Sequence, residues 1–140
     1  MEAKLNPTED RDKVLRAMHT ALTFEDSAVE DVVQESSAFL RVSAEGRQAL
    51  RKIFIKLREQ RTVEAARKLF YRRIKGNSTR GFFHKQGAFQ GVLHFSMESG
   101  ESPLGPIKVE IETENIERVL NWLVPPTQDG AVIEVDYQPD

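Results

Sequence analysis

Apolar residues recur at helical spacing in four stretches of the chain and alternate with polar ones in several shorter stretches. Val14, Leu15, Met18 and Leu22 mark the first helical face. Asn6-Pro7-Thr8-Glu9 precedes it. Asn6 can cap, Pro7 suits the first helical position, and Glu9 stands where a capping box needs an acid, which predicts a helix running to about Thr20. Ala3–Leu5, ahead of this start, reads as the stub of a strand. Two short runs, 28–33 and 37–42, flank the polar turn Gln34-Glu35-Ser36 and predict an antiparallel hairpin. Ser43 can cap a second helix over about 44–59, where Ala49, Leu50, Ile53, Phe54 and Leu57 share one stripe. Thr62 opens a third over about 63–74, and Gly76 is placed to end it in the left-handed conformation.

From Thr79 the period shortens to two. Residues 80–85 and 91–97 read as strands around a turn at Gln86–Phe89. Residues 107–112 alternate cleanly, which predicts a strand with one wet and one dry face. Asn115–Leu123 reads as a short helix stopped by Pro125-Pro126, and 131–137 as a closing strand. Mixed elements with short links predict an α+β fold, a mostly antiparallel sheet with helices packed on one face. The length of 140 residues fits a single domain, 1–140. The chain holds no cysteine, which excludes disulfides, thiolate metal sites and thiol nucleophiles. There is no apolar run long enough for a membrane helix and no signal-peptide core, so a cytoplasmic protein without a membrane partner is expected.

Charge changes the picture. The formal net charge of −2 is a cancellation. Residues 1–43 carry 5 basic and 9 acidic side chains, residues 44–85 carry 13 and 3, and residues 96–140 carry 2 and 10. The basic segment also contains aromatics, since Phe70, Tyr71, Phe82, Phe83, Phe89 and Phe95 fall on or just beyond it. Cations for phosphates together with flat rings for bases are the ingredients of RNA readers, and arginine serves both purposes. Arg47, Arg51, Arg58 and Arg61 are therefore candidate phosphate contacts from the first basic helix. Arg67, Lys68, Arg72, Arg73 and Lys75 continue the surface, and Arg80 and Lys85 extend it onto the sheet. Tyr71, off the apolar stripe beside Arg67, is the aromatic expected to be exposed. Asn77 and Thr79 join the basic helix to the basic strand, where a helix cap explains them as well as an RNA contact does. The competing view of the whole segment is that basic helix faces are solvated and most of its aromatics are core.

Catalytic signals are thin. His19, His84 and His94 lack metal spacing, and no phosphate loop, nucleophile elbow or dinucleotide fingerprint is present. An enzyme would need His84, His94 and the row Glu110, Glu112, Glu114 to converge, although His84 and His94 could face each other across paired strands. No metal or other cofactor is implied and no small-molecule substrate is expected. Arg80-Gly81-Phe82 begins like an RRM signature, but Phe83 and His84 break the pattern.

Pro7-Thr8-Glu9-Asp10, Gln60-Arg61, Ala65-Ala66-Arg67, Gly76-Asn77, Lys85-Gln86 with Ala88-Phe89, and Glu101-Ser102-Pro103-Leu104-Gly105-Pro106-Ile107 resemble uncharacterised protein family number two-hundred-and-one, an archaeal family. The resemblance spans residues 7 to about 125. It implies a fold similar to large-subunit ribosomal protein five, which grips RNA, and a grouping with proteins proposed to bind RNA. Two departures stand out: a first strand shorter than the family's, which bears on the sheet edge, and Gly87 where alanine is common, which is expected to loosen that turn. The sequence thus predicts an RNA-binding protein. A protein-interaction or self-associating module, for which segments of opposite charge suit a homodimer, is the alternative.

Overall fold

Residues 107–111 set the frame of the molecule. In the computed structural model, which describes residues 1–96 and 104–140, Ile107, Val109 and Ile111 point into the core while Glu110 and Glu112 stay in solvent. Ahead of this strand come β1 (Glu2–Leu5), α1 (Arg11–Ala21), β2 (Glu30–Gln34), β3 (Ser37–Arg41), α2 (Arg51–Glu59), α3 (Val63–Arg72), β4 (Ser78–His84) and α4 (Lys85–Phe89). The frame strand itself is β5 (Pro106–Glu112), followed by α5 (Ile116–Leu123) and a two-residue pair, β6 (Thr127–Gln128) and β7 (Ala131–Val132). The five-stranded sheet has the order β2-β3-β1-β5-β4, and every pairing is antiparallel. The fold is α+β, as the alternation of patterns predicts.

Ala3, Leu40, Phe83, Ile107 and Val109 make the dry face of the sheet. Val14 and Met18 of α1, Ile53 and Leu57 of α2, Ala66 and Phe70 of α3, and Leu120 and Leu123 of α5 close over it in one buried cluster. Gly81 is a close approach: a Cβ there would lie 2.8 Å from Cε1 of Phe70, so the missing side chain is what lets that ring lie on β4. The Thr79 hydroxyl donates to the Phe70 carbonyl at 2.5 Å and fastens the end of α3 to the same strand.

Several boundaries differ from the sequence-based expectation. Asn6–Glu9 makes a turn, not a helix start: Glu9 Oε1 accepts from the Asn6 amide groups, but Asp10 is the cap, its Oδ1 taking the Asp12 N–H at 2.9 Å. Strand β1 is no edge stub. It lies between β3 and β5, which supply the hydrogen-bonding partners its short length needs. The helix expected from residue 44 begins as a 3-10 turn, Arg47–Leu50, after Gly46 at φ 83°. Helix α3 ends at Arg72, and Gly76, at φ 61°, instead forms a two-residue hairpin turn with Asn77 between the bridged Lys75 and Ser78.

The strand expected over 91–97 reduces to a bridge between Phe83 and Phe95. The N–H groups of Gly91 and Val92 are taken by the end of α4, which leaves 94–96 to pair; Met97 lies outside the described residues. Gly87 does not loosen its turn. It sits inside α4, and a Cβ there would stand 3.2 Å from His94 Cδ2, so glycine makes room for that ring. The strand expected over 131–137 stops at Val132; beyond it Glu134 pairs with Arg58 of α2 and the Tyr137 ring meets Arg118 of α5.

Candidate nucleic-acid interface

Helices α2 and α3 bury their apolar stripes, so their cations must leave sideways or outward. What each head group touches divides the thirteen sequence-predicted residues into distinct sets.

Four of them are committed to the fold. Arg58 is half-buried over the Phe54 ring, 3.4 Å from its centroid, with both carboxylate oxygens of Glu134 at 2.7 and 3.1 Å. It also donates to the carbonyls of Phe54, Trp122 and Leu123. Arg67 donates to Asn121 Oδ1 at 2.9 Å and to the Val124 carbonyl at 3.0 Å, tying α3 to α5. Tyr71 is not the exposed ring expected: Arg67 lies 4.4 Å from its centroid, and its hydroxyl donates to Asn121 at 2.7 Å. Lys85 is buried, its ammonium donating to Glu9 at 2.9 Å and to the carbonyls of Lys4 and Leu104 at 2.7 and 2.8 Å. Burial pulls the Lys85 pKa below its ordinary value, with Glu9 opposing. For Glu9, burial acts to raise the pKa, but hydrogen bonds from Asn6 and Lys85 outweigh it and hold the carboxyl low. Three segments that carry the family resemblance, around Glu9, Lys85 and Leu104, therefore meet in one ion-pair lock.

Arg61, Lys68, Arg72, Lys75 and Asn77 are exposed. Lys68 and Arg72, one helical turn apart, share the outer face of α3. Arg61 precedes the helix, at φ 59°, and Lys75 and Asn77 follow it in the hairpin turn. Glu64 is the nearby acid, 4.0 Å from Lys68 in an exposed pair. Arg73 and Arg80 are half-buried on the open face of the sheet. The first lies 4.8 Å from the Phe82 centroid, and the second stands opposite Glu110 in the β4–β5 register.

Arg47 and Arg51 form a further pair. With Phe54, Ile55, Trp122 and Gln138 they line a groove of about 390 Å³ between α2, α5 and the C-terminal segment. Arg47 is anchored there, its guanidinium donating to the Gln138 side chain and its N–H to the Asp140 carbonyl. Trp122 stacks on Phe54 with centroids 5.0 Å apart. Sequence reasoning missed Trp122, Ile55 and Gln138, since α5, with Glu117 and Arg118, carries no net charge to draw attention, and the groove joins residues far apart along the chain. An exposed isoleucine one turn beyond Arg51 was the only local signal.

The acidic C-terminal segment thus meets the basic helices at Glu134 and Arg58, and leaves the α3 row uncovered by any ion pair other than Glu64–Lys68 among the described residues. The His84 N–H donates to the His94 carbonyl at 2.8 Å, so these two do face each other. Glu110, however, is four register positions away along β4, about 13 Å at strand rise. Among the described residues no three His, Asp or Glu side chains could hold a metal, and no helix is long and apolar enough to cross a membrane. Another cavity, about 680 Å³, is lined by Arg41, Lys108, Glu2, Glu110 and Glu112 among others, a mixed set with Arg41 and Glu2 already paired at 2.7 Å.

A family model described as RNA binding matches residues 1–113. The chain is 36% identical over 134 residues to the UPF0201 protein of Sulfurisphaera tokodaii, covering 94% of this chain and 89% of that one. It is 37% identical over 134 residues to that of Pyrobaculum neutrophilum, covering 95% and 92%. The crystal structure of the UPF0201 protein from Methanococcus jannaschii superposes with a TM-score of 0.80 at 24% identity, over 95% of this chain and 96% of that one.

Proposed function

The chain belongs to the UPF0201 family, and from that membership we propose that it is a non-catalytic RNA-binding protein that grips phosphates with the exposed cations of α3 and its flanking turns. The family model's description supports the class of ligand. The observation that carries the reading is the outward row Arg61, Lys68, Arg72 and Lys75. Its one ion pair among the described residues, Lys68 with Glu64, is exposed on both sides, and such i,i+4 pairs contribute only about 0.3–0.5 kcal/mol, so a phosphate displaces the glutamate readily. Helix α3 is ten residues long, roughly 15 Å, enough for the row to follow several phosphates. Asn77 adds a neutral donor at the end of the row. Arg47 and Arg51 extend the surface, and Arg73 and Arg80 supply secondary contacts at the sheet. A cytoplasmic protein without a small-molecule substrate follows from the same reading.

Fluorescence anisotropy of labelled single-stranded RNA across a salt series tests it. Each phosphate contact contributes about 0.7 to the slope of log K against log salt, so the variant K68Q/R72Q should lower the slope by about 1.4 and weaken binding to all sequences alike. Arg67 is unsuitable for this test because it holds α5. Absence of binding at low salt, or an unchanged slope in a variant that melts like the parent, overturns the proposal.

A further inference from the structure

We propose that the groove between α2, α5 and the C-terminal segment is a second RNA subsite that takes one unpaired nucleobase on Trp122 and its phosphate on Arg51; this rests on the RNA-binding reading above. The groove holds a cation–aromatic cluster. The Arg58 guanidinium covers one side of Phe54, and Trp122 stacks on it with an interplanar angle of 26°. Trp122, half-exposed, lines the groove wall. Ile55, 37% exposed, supplies further apolar surface beside it. A flat ligand that extends the stack is the natural occupant, and every nucleobase offers such a face.

Charge selects the same ligand. Two guanidiniums, Arg47 and Arg51, line the groove, and among the described residues no carboxylate does. Glu134, which ties the C-terminal segment to α2, has both oxygens engaged by Arg58, and Asp140 meets Arg47 through its backbone oxygen. Arg47 is held by Gln138, while Arg51 makes no ion pair among the described residues and is exposed, ready to meet a phosphate bidentately. Gln48 and Gln138 add two amides to the lining, the second already accepting from Arg47, and their N–H groups can meet the edge of a base. A volume of about 390 Å³ lies at the lower end of the range for small-ligand sites, the size of one nucleotide and not of a duplex. Two base-paired strands present no free face, so the subsite selects single strands where the α3 row accepts any phosphate backbone.

Trp122 is the chain's single tryptophan and reports on its own site. The experiment titrates the full chain with a short labelled oligouridylate and follows label anisotropy and tryptophan emission together, with inorganic polyphosphate and an RNA duplex of equal length as comparison ligands. The expected result is saturable quenching of Trp122 by the single strand at the concentrations that raise anisotropy, and no quenching by polyphosphate or duplex. Trp122→Leu should lose roughly 5- to 100-fold in affinity for the single strand, the contribution of one stacked base, and leave duplex affinity unchanged. Arg51→Gln should reduce the quenching in a chain whose Phe54–Trp122 stack is intact. If the oligonucleotide raises anisotropy without quenching, or polyphosphate or duplex quenches equally, the groove is not the subsite while RNA binding stands. If anisotropy does not change at low salt, RNA binding itself fails and the subsite with it. The parent chain's own emission decides between these results even if Trp122→Leu does not fold.

Discussion

Replacing Lys85 by methionine isolates the lock that joins the sheet, α4 and the segment before β5. Methionine keeps an unbranched apolar stem of similar reach and deletes the charge. The Lys85 and Glu9 side chains are only 6% and 11% exposed, so water does not replace the lost partner. The substitution leaves the Glu9 carboxylate with the Asn6 amides alone and strips the Lys4 carbonyl of its ammonium donor, while the Leu104 carbonyl keeps the Asn6 side chain at 3.0 Å. Breaking a buried ion pair from one side costs about 3–5 kcal/mol. The retained Asn6 contacts put K85M at the low end, about 3 kcal/mol, or a melting point lower by about 10 °C for a chain of this length. E9Q/K85M removes both charges and should recover about 2 kcal/mol relative to the sum of the single variants. Urea denaturation followed by far-ultraviolet circular dichroism, as a full double-mutant cycle, measures both quantities. A K85M chain within about 0.5 kcal/mol of the parent, or an additive double variant, would refute the lock as a buried, coupled pair.

Two further outcomes follow from the same contacts. Because the Glu9 pKa is lower in the folded chain than in the unfolded one, the unfolded state binds more protons in acid. The stabilisation is complete above the ordinary carboxylate range of about 4.3 and is lost as pH falls through the folded value. The stability difference between the parent and E9Q, from urea titrations at pH 7, 5 and 3.5, should therefore shrink toward acid; a constant difference contradicts the assignment. Gly81→Ala should destabilise by about 1–3 kcal/mol, since its Cβ would press on the fully buried Phe70 ring, and a thermal melt unchanged from the parent would show that the ring can yield.

The fold was legible where neighbours along the chain decide it. The alternation at 107–112 and the apolar spacing at 53–57 and 63–70 each belong to one element, and both stood. The hairpin of β2 and β3 stood too, although Glu35 and Ser36 reach positive φ without a glycine. What failed depends on distant partners. Four residues at 2–5 cannot announce that strands from both halves of the chain will flank them. The alternating 131–137 run meets helices instead of a strand: Glu134 goes to Arg58, and the Tyr137 ring lies 4.0 Å from the Arg118 guanidinium.

The candidate site divides along the same line. Sequence reports that a residue is charged, but not whether its head group is already engaged. Arg67 and Lys68 are adjacent, yet one is bonded into α5 and the other points to solvent, because their directions differ by about 100° around the helix axis. The charge asymmetry takes on a more specific meaning as a result. Glu134 cancels one cation of the basic segment, which weakens the field a phosphate would feel. In doing so it fixes Arg58 on Phe54, and Phe54 in turn supports Trp122 beside the unpaired Arg51. The acidic segment therefore subtracts charge at one point and supplies order at the next. Were its only role to balance charge, the strongest contact would fall on the outermost cations, Lys68 or Arg72; it falls instead on the one arginine that holds the aromatic stack in place.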